Sequence, residues 1–264
     1  MTDTLNIALG QIKLVDGDID KNKKTIEKLM EEANRHKIDM VCLPELSLTG
    51  YGFDAIKDVK TNNITREFFS QLSKKYKIAI VAGISNCCEG KFYDSAAVWD
   101  ENGNLIYIHN KIHLWAQERI FFERGDALEV IEYKGWQLGI AVCADVGFPE
   151  VSRILALKNA EILIFPSEWA TPYDDLWTLM LRARAAENQV YVVGVNRTGE
   201  GLYSHYCGCS MIVDPSGNIN KKFMNDEQGV LVAEVNKKCI IERRKEIPWL
   251  NYRIPGIYSD ISKK

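Results

Sequence analysis

Several things are missing from this sequence, and each absence narrows what the chain can be. There is no Cys-x-x-Cys pair, which removes the usual zinc-finger patterns. The seven cysteines are an odd number without framework spacing: Cys87 and Cys88 are adjacent, whereas Cys42, Cys143 and Cys239 lie far apart. That usage fits a reducing, cytoplasmic setting. No apolar run is long enough to span a bilayer. Residues 1–9 lack the basic, long-apolar, small-residue order of a secretory signal. Basic residues are in slight deficit, 33 against 36 acidic, for a formal net charge of -3. A nucleic-acid surface is therefore not suggested, and neither is a membrane partner. No internal repeat, low-complexity tract or composition break divides the chain.

What is present is a chain of 264 residues, 46% hydrophobic, enough for one large core or two small ones. Leu5 to Ile12 reads as a buried strand. Asp18 to Lys37 follows as an amphipathic helix, with Ile26, Leu29, Met30 and Ala33 on one face. Residues 39–43 form a short strand, Thr65 to Tyr76 a helix, and Ile78 to Ile84 a strand. Three hairpins are then predicted: 92–99 with 104–109, 127–133 with 136–142, and 207–213 with 219–223. Between the second and third come a helix (149–159), a strand (161–165), a helix (173–189) and a strand (190–196). Gly229 to Val235 is the last strand, and the polar end from Asn236 reads as irregular. Helices alternate with strands while hairpins intervene. This predicts mixed sheets covered by helices, with roughly a dozen strands in one α/β domain of two packed sheets.

The stretch from Gly139 to Glu150 draws most interest. It reads as a strand, a sharp turn carrying Cys143, and a helix start with Pro149 at the first position. A thiol near a helix N-terminus is expected to have a depressed pKa. On this segment alone, a buried structural cysteine is the commoner outcome. Glu45 and Lys111 also sit just beyond strand ends, where α/β proteins build active sites. Singly, Glu45 reads as a helix-entry or surface carboxylate and Lys111 as a solvated charge. Together with Cys143 they make a chemical unit. A carboxylate can take the thiol proton as general base. A fixed cation and the Ala144 N–H can hold the oxyanion formed when sulfur attacks a carbonyl. The four histidines show no Cys-His-Asn order.

Three blocks carry a resemblance. Leu43-Pro44-Glu45 through Tyr51, Asn110-Lys111-Ile112-His113-Leu114, and Val142-Cys143-Ala144 through Glu150 are similar, in order, to the signature blocks of the nitrilase superfamily of carbon–nitrogen hydrolases. Residues 118–125, 181–189 and 212–217 resemble further family segments, so the likeness covers nearly the whole chain. It implies a four-layer α-β-β-α sandwich, a single carbon–nitrogen hydrolase domain over residues 1–264, and a Cys-Glu-Lys triad. Carried over by position, Cys143 is the nucleophile, Glu45 the general base, Lys111 the oxyanion stabiliser and Glu118 a second carboxylate that positions substrate or assists proton transfer. The implied reaction runs through a cysteine thioester and uses no cofactor or metal. The resemblance also implies a homodimer or higher homo-oligomer through helices 149–159 and 173–189, with residues 236–264 a C-terminal extension at that interface. One departure is visible: many members have an aromatic residue after the cysteine, and this chain has Ala144.

Substrate contacts are expected from Tyr51, Trp115, Ala144, Glu168 and Trp169. Trp115, Phe121, Phe122 and Trp169 can line a pocket or fill core. His205, Cys207 and Cys209 alternate, but their spacing is poor for one metal ion. Arg182 and Arg184 fit ion pairs or a subunit contact better than a substrate site. The loop at Glu168 carries no arginine, which disfavours N-carbamoyl amino acids. The segments around Trp169, 181–189 and 193–197 look similar to omega-amidases, which act on small linear amides. An N-carbamoyl amidohydrolase is the alternative; a nitrilase, a glutaminase subunit or a silent scaffold stand behind it.

Overall fold

The computed structural model describes residues 3–224 and 226–263. Its strands are β1 (Thr4–Gln11), β2 (Met40–Cys42), β3 (Ala79–Cys88), β4 (Lys91–Trp99), β5 (Leu105–Asn110), β6 (Val130–Tyr133), β7 (Trp136–Ile140), β8 (Ile162–Ser167), β9 (Tyr191–Asn196), β10 (Thr198–Glu200), β11 (His205–Cys207), β12 (Met211–Val213), β13 (Ile219–Lys222) and β14 (Gly229–Asn236). Helices α1 (Ile19–Ala33), α3 (Val59–Tyr76), α5 (Pro149–Leu157), α6 (Asp174–Asn188) and α7 (Lys237–Glu246) are joined by the single turns α2 (Phe53–Ile56) and α4 (Glu118–Phe121).

Two six-stranded sheets form, in the orders β14-β1-β2-β3-β4-β5 and β13-β12-β9-β8-β7-β6. Each is built around three parallel strands, β1-β2-β3 in one and β7-β8-β9 in the other, extended by antiparallel neighbours. Alternation along the strands explains the layering. Leu5, Ile7 and Leu9 of β1 pack against Leu138, Ile140, Ile162 and Ile164 of the other sheet. Ala8 of the same strand faces Ile26 and Met30 of α1 and Phe69 of α3. On the opposite side Leu163 and Val192 meet Leu155 of α5 and Leu181 of α6. The result is the α-β-β-α sandwich that the family resemblance implies, with mixed sheets as the residue pattern predicts.

Three local expectations are corrected. Helix α3 begins at Val59, six residues before the predicted Thr65, because Asp58 caps it by accepting from the Lys60 and Thr61 N–H groups. Its first turns bury Thr61 and Asn62 and so show no apolar stripe. Strand β3 runs on to Cys88 and pairs with β4 from Lys91 through a tight turn at Glu89-Gly90. The end from Asn236 is helical rather than irregular. Asn236 caps α7, a helix so rich in charge that only Ile240 is buried, so no apolar period marks it.

A long apolar surface is left open along α5 and α6 and on the C-terminal segment. Ile154, Leu157, Leu176, Leu179, Trp249 and Tyr252 are all exposed there.

Candidate active site

The carboxyl ends of β2, β5, β7 and β8 meet at one edge of the sandwich. Chain runs on from β2 through Leu43 and Pro44 to Glu45, which is wholly buried. Backbone from β3 holds it there: Gly83 N–H donates to the Pro44 carbonyl, and Ser47 N–H donates to the Gly83 carbonyl. A Cβ on Gly83 would stand 2.2 Å from the Glu45 Cα, so only glycine allows this approach. Gly83→Ala is therefore expected to displace Glu45, lowering both melting temperature and turnover; an alanine variant matching the parent in both would contradict this packing.

Lys111 follows β5 and has no exposed surface. Its ammonium donates to Glu45 Oε1 at 2.5 Å, Glu118 Oε1 at 2.8 Å and Asp94 Oδ2 at 3.1 Å. Those three carboxyl groups are the one set of ligand-type side chains that cluster tightly among the described residues, and the ammonium sits among them. Burial pushes the lysine pKa down, but Glu118, Glu45 and Asp94 outweigh it and hold the group firmly cationic. The same field sorts the acids. Burial pushes Asp94 well above the usual carboxylate range and the Glu45 charge adds to this, with Lys111 opposing. For Glu45 burial also pushes up, yet the Lys111 charge, with Asp94 and Cys143 beside it, brings it below its ordinary value. Glu45 is thus held as an anion.

Cys143 opens a 3-10 turn, Cys143–Gly147, with φ at 42°. This left-handed backbone is costly for a residue with a Cβ, and it throws the side chain off the end of β7. Asp145 fixes the turn. It accepts from the Val142 N–H at 3.1 Å, and its other oxygen accepts from the His113 N–H at 2.9 Å and meets His113 Nδ1 at 2.8 Å. Burial pushes Asp145 up, but His109, His113 and the Val142 N–H hold it below the usual carboxylate range. Arg184 of α6 completes the clamp by donating to the Val146 carbonyl at 2.9 Å.

The thiol stands beside the Glu45 carboxylate. Its pKa corrects the sequence expectation. Burial and the Glu45 charge push it well above normal, with Lys111 opposing, so the resting sulfur is a thiol beside a carboxylate. Ala144 lies in the first turn, where its N–H has no acceptor within the helix. Glu168 follows β8, and its N–H donates to Glu45 Oε2 at 2.7 Å.

Cys143 and Glu118 border a cavity of about 920 Å³ also lined by all five residues expected to contact substrate, Tyr51, Trp115, Ala144, Glu168 and Trp169. Tyr51 donates to Glu118 Oε1 at 2.6 Å, and the Trp115 N–H donates to Glu118 Oε2 at 2.8 Å. Trp115 is 69% exposed and stands at the rim. Phe121 stacks on Phe53, itself a wall residue, while Phe122 is core. Phe148, Tyr203 and Tyr206 add aromatic wall, and Arg119 and Arg124 bring positive charge to the exposed rim.

Elsewhere the sequence candidates separate. His205 pairs with Glu200 at 2.9 Å, and Cys207 accepts from the Asn196 side chain. Arg182 donates to the Gly217 carbonyl, far from any substrate role. Asp94, Asp145, His109 and Arg197 were missed. Acidic residues inside otherwise apolar strands and turns, Asp94 in β4 and Asp145 after Cys143, were the available signal.

Residues 6–245 match the carbon-nitrogen hydrolase family. The 2-oxoglutaramate amidase of Bacillus subtilis is 30% identical over 253 residues, 94% of this chain and 93% of that protein. Nit3 of Saccharomyces cerevisiae, of branch 10 of the nitrilase superfamily, superposes with a TM-score of 0.86 at 28% identity, covering 94% of this chain and 95% of Nit3. A carbon-nitrogen hydrolase from Helicobacter pylori G27 gives a TM-score of 0.90 at 27% identity, with 99% of each chain covered. Fold, sequence and these likenesses agree: the chain belongs to the carbon-nitrogen hydrolase family of the nitrilase superfamily and is an amidase-type hydrolase.

Proposed function

We propose that the protein hydrolyses a small linear primary amide, releasing ammonia through a thioester on Cys143. The observation that carries this is the Cys143 thiol set beside the buried Glu45 carboxylate at the aromatic-walled cavity, with Lys111 braced on Glu45 at 2.5 Å. Glu45 takes the thiol proton as sulfur bonds to the amide carbon. The carbonyl oxygen becomes an oxyanion held by the Ala144 N–H and by the charge of Lys111, whose three donors are already shared among carboxyl groups. Glu45 returns the proton to nitrogen, the C–N bond breaks and ammonia leaves. Water then gives a proton to Glu45 and attacks the thioester, and the carboxylic acid departs as sulfur regains its proton. Glu118 fixes the aromatic side of the floor by anchoring Tyr51 and the Trp115 backbone.

The substrate reading is omega-amidase-like. An amide end at Cys143 leaves the far end of a short chain near the rim, where Arg119 and Arg124 suit a carboxylate. Similarity to the 2-oxoglutaramate amidase supports the same choice. An ammonia-release screen over omega-amides of 2-oxo acids, simple aliphatic amides, N-carbamoyl compounds and nitriles tests it. Highest kcat/KM is expected for the omega-amides. Preference for carbamoyl compounds would replace the substrate class, and silence across the panel from folded protein would overturn the reading. The exposed apolar faces of α5, α6 and the C-terminal segment fit a homodimer, which light scattering would detect as a mass twice that of the chain.

A further inference from the structure

Behind the cavity wall lies a second set of buried charges. Arg197, just after β9, has no exposed surface. Its guanidinium donates from Nη1 to Glu168 Oε2 at 2.7 Å and to Asp16 Oδ1 at 2.8 Å, and from Nη2 to the Leu14 carbonyl at 2.9 Å. Its Cζ lies 4.3 Å from the Tyr206 ring centroid. Asp16, just before α1, reaches two further segments. Its Oδ1 accepts from the Tyr51 N–H at 2.8 Å, and its Oδ2 accepts from the Leu202 N–H at 2.7 Å. The packing is close: a Cβ on Gly50 would fall 2.2 Å from Asp16 Oδ1.

These contacts converge on the reacting groups. Glu168, gripped by Arg197, is the residue whose N–H donates to Glu45 Oε2. Tyr51, gripped by Asp16, is the residue whose hydroxyl donates to Glu118. The segments carrying Leu202 and Tyr206 form the facing wall. Holding a fully buried cation between two carboxyl groups gives little net stability, because desolvation offsets the attraction. What a planar fork does supply is fixed direction toward several acceptors at once.

We propose that Asp16 and Arg197 are positioning residues for the hydrolytic reaction, a buried hub that sets the Glu168 N–H on Glu45 and Tyr51 on Glu118. This rests on Cys143 and Glu45 being the nucleophile and base. The Glu168 N–H stabilises the Glu45 carboxylate. With the hub broken, Glu45 holds its proton to higher pH, and the acid limb of the pH profile moves up.

The test uses Asp16→Asn, Arg197→Lys and Arg197→Met in the full chain, with folding checked by circular dichroism. Two pH profiles are recorded: kcat/KM for ammonia release from an omega-amide, and the rate of Cys143 alkylation by iodoacetamide, read by peptide mass mapping. Arg197→Met is expected to lose about tenfold or more in kcat/KM and to move both acid limbs up by about half a pH unit or more. Arg197→Lys, keeping the cation, should recover part of both effects, and Asp16→Asn should fall between. Folded variants whose acid limbs stay in place would overturn the proposal, since a purely structural pair lowers melting temperature without moving a titration. Failure of all three to fold would overturn it as well. Should the parent protein release no ammonia, the amide reading fails by itself, and the alkylation profiles still decide the hub.

Discussion

Replacing Cys143 with alanine is expected to lower ammonia release by ~10⁴-fold or more, with circular dichroism and melting temperature close to the parent. The side chain is small and sits at the cavity floor, so its loss leaves the 3-10 turn held by Asp145, His113 and Arg184. What disappears is the thiol that stands beside Glu45. No other group in that position can form the acyl intermediate. Comparable turnover in the alanine variant would sink the nucleophile assignment. Glu45→Gln should cost a few kcal/mol of transition-state stabilisation, on the order of the loss of a positioned general base, and should add little to Cys143→Ala.

Lys111→Met is expected to damage both stability and catalysis. The substitution leaves Glu45, Asp94 and Glu118 facing one another without their shared cation. Removing one partner from a buried ionic cluster costs about 3–5 kcal/mol. Turnover should fall by a further ~10²–10³-fold, the scale of losing an oxyanion stabiliser. The pH dependence has a definite sign. In the parent, Glu45 is depressed by Lys111 after burial is overcome, so its contribution to stability is present above the unfolded carboxylate pKa and is lost as pH falls through the folded value. Without Lys111 that contribution is gone and Glu45 takes up a proton more readily. The stability deficit of the variant should therefore shrink on acidification, and the acid limb of its kcat/KM profile should lie at higher pH. Near-full turnover in Lys111→Met would show that the cation has no part in the reaction.

Much of this could be read from residues alone, for physical reasons that are visible at particular positions. The strands around Glu45, Lys111 and Cys143 have strong apolar runs, so their ends, and the groups just past them, were easy to place. Two packed mixed sheets covered by helices follow from helices alternating with strands while hairpins intervene, and the four-layer order is what the family resemblance implies. Elements without an apolar period escaped: the first turns of α3 bury Thr61 and Asn62, and α7 is nearly all charge. The electrostatics were least legible. Proximity to a helix start suggested a depressed Cys143 thiol, but burial and the neighbouring Glu45 anion decide its direction. The Glu168 loop looked purely acidic because Arg197, which pairs with it, lies 29 residues away in sequence. Even with that partner, burial raises Glu168 to about 8. Long-range pairing of buried charge leaves no periodic trace.

The central claim is that Cys143 carries the acyl group. Acid-quenching the parent enzyme in the first turnovers of an omega-amide, followed by peptide mass mapping, tests it most directly. The expected result is the acyl mass added to the peptide containing Cys143, formed and lost at a rate matching ammonia release. Turnover with that peptide unmodified, or with the acyl mass on another residue, would contradict it.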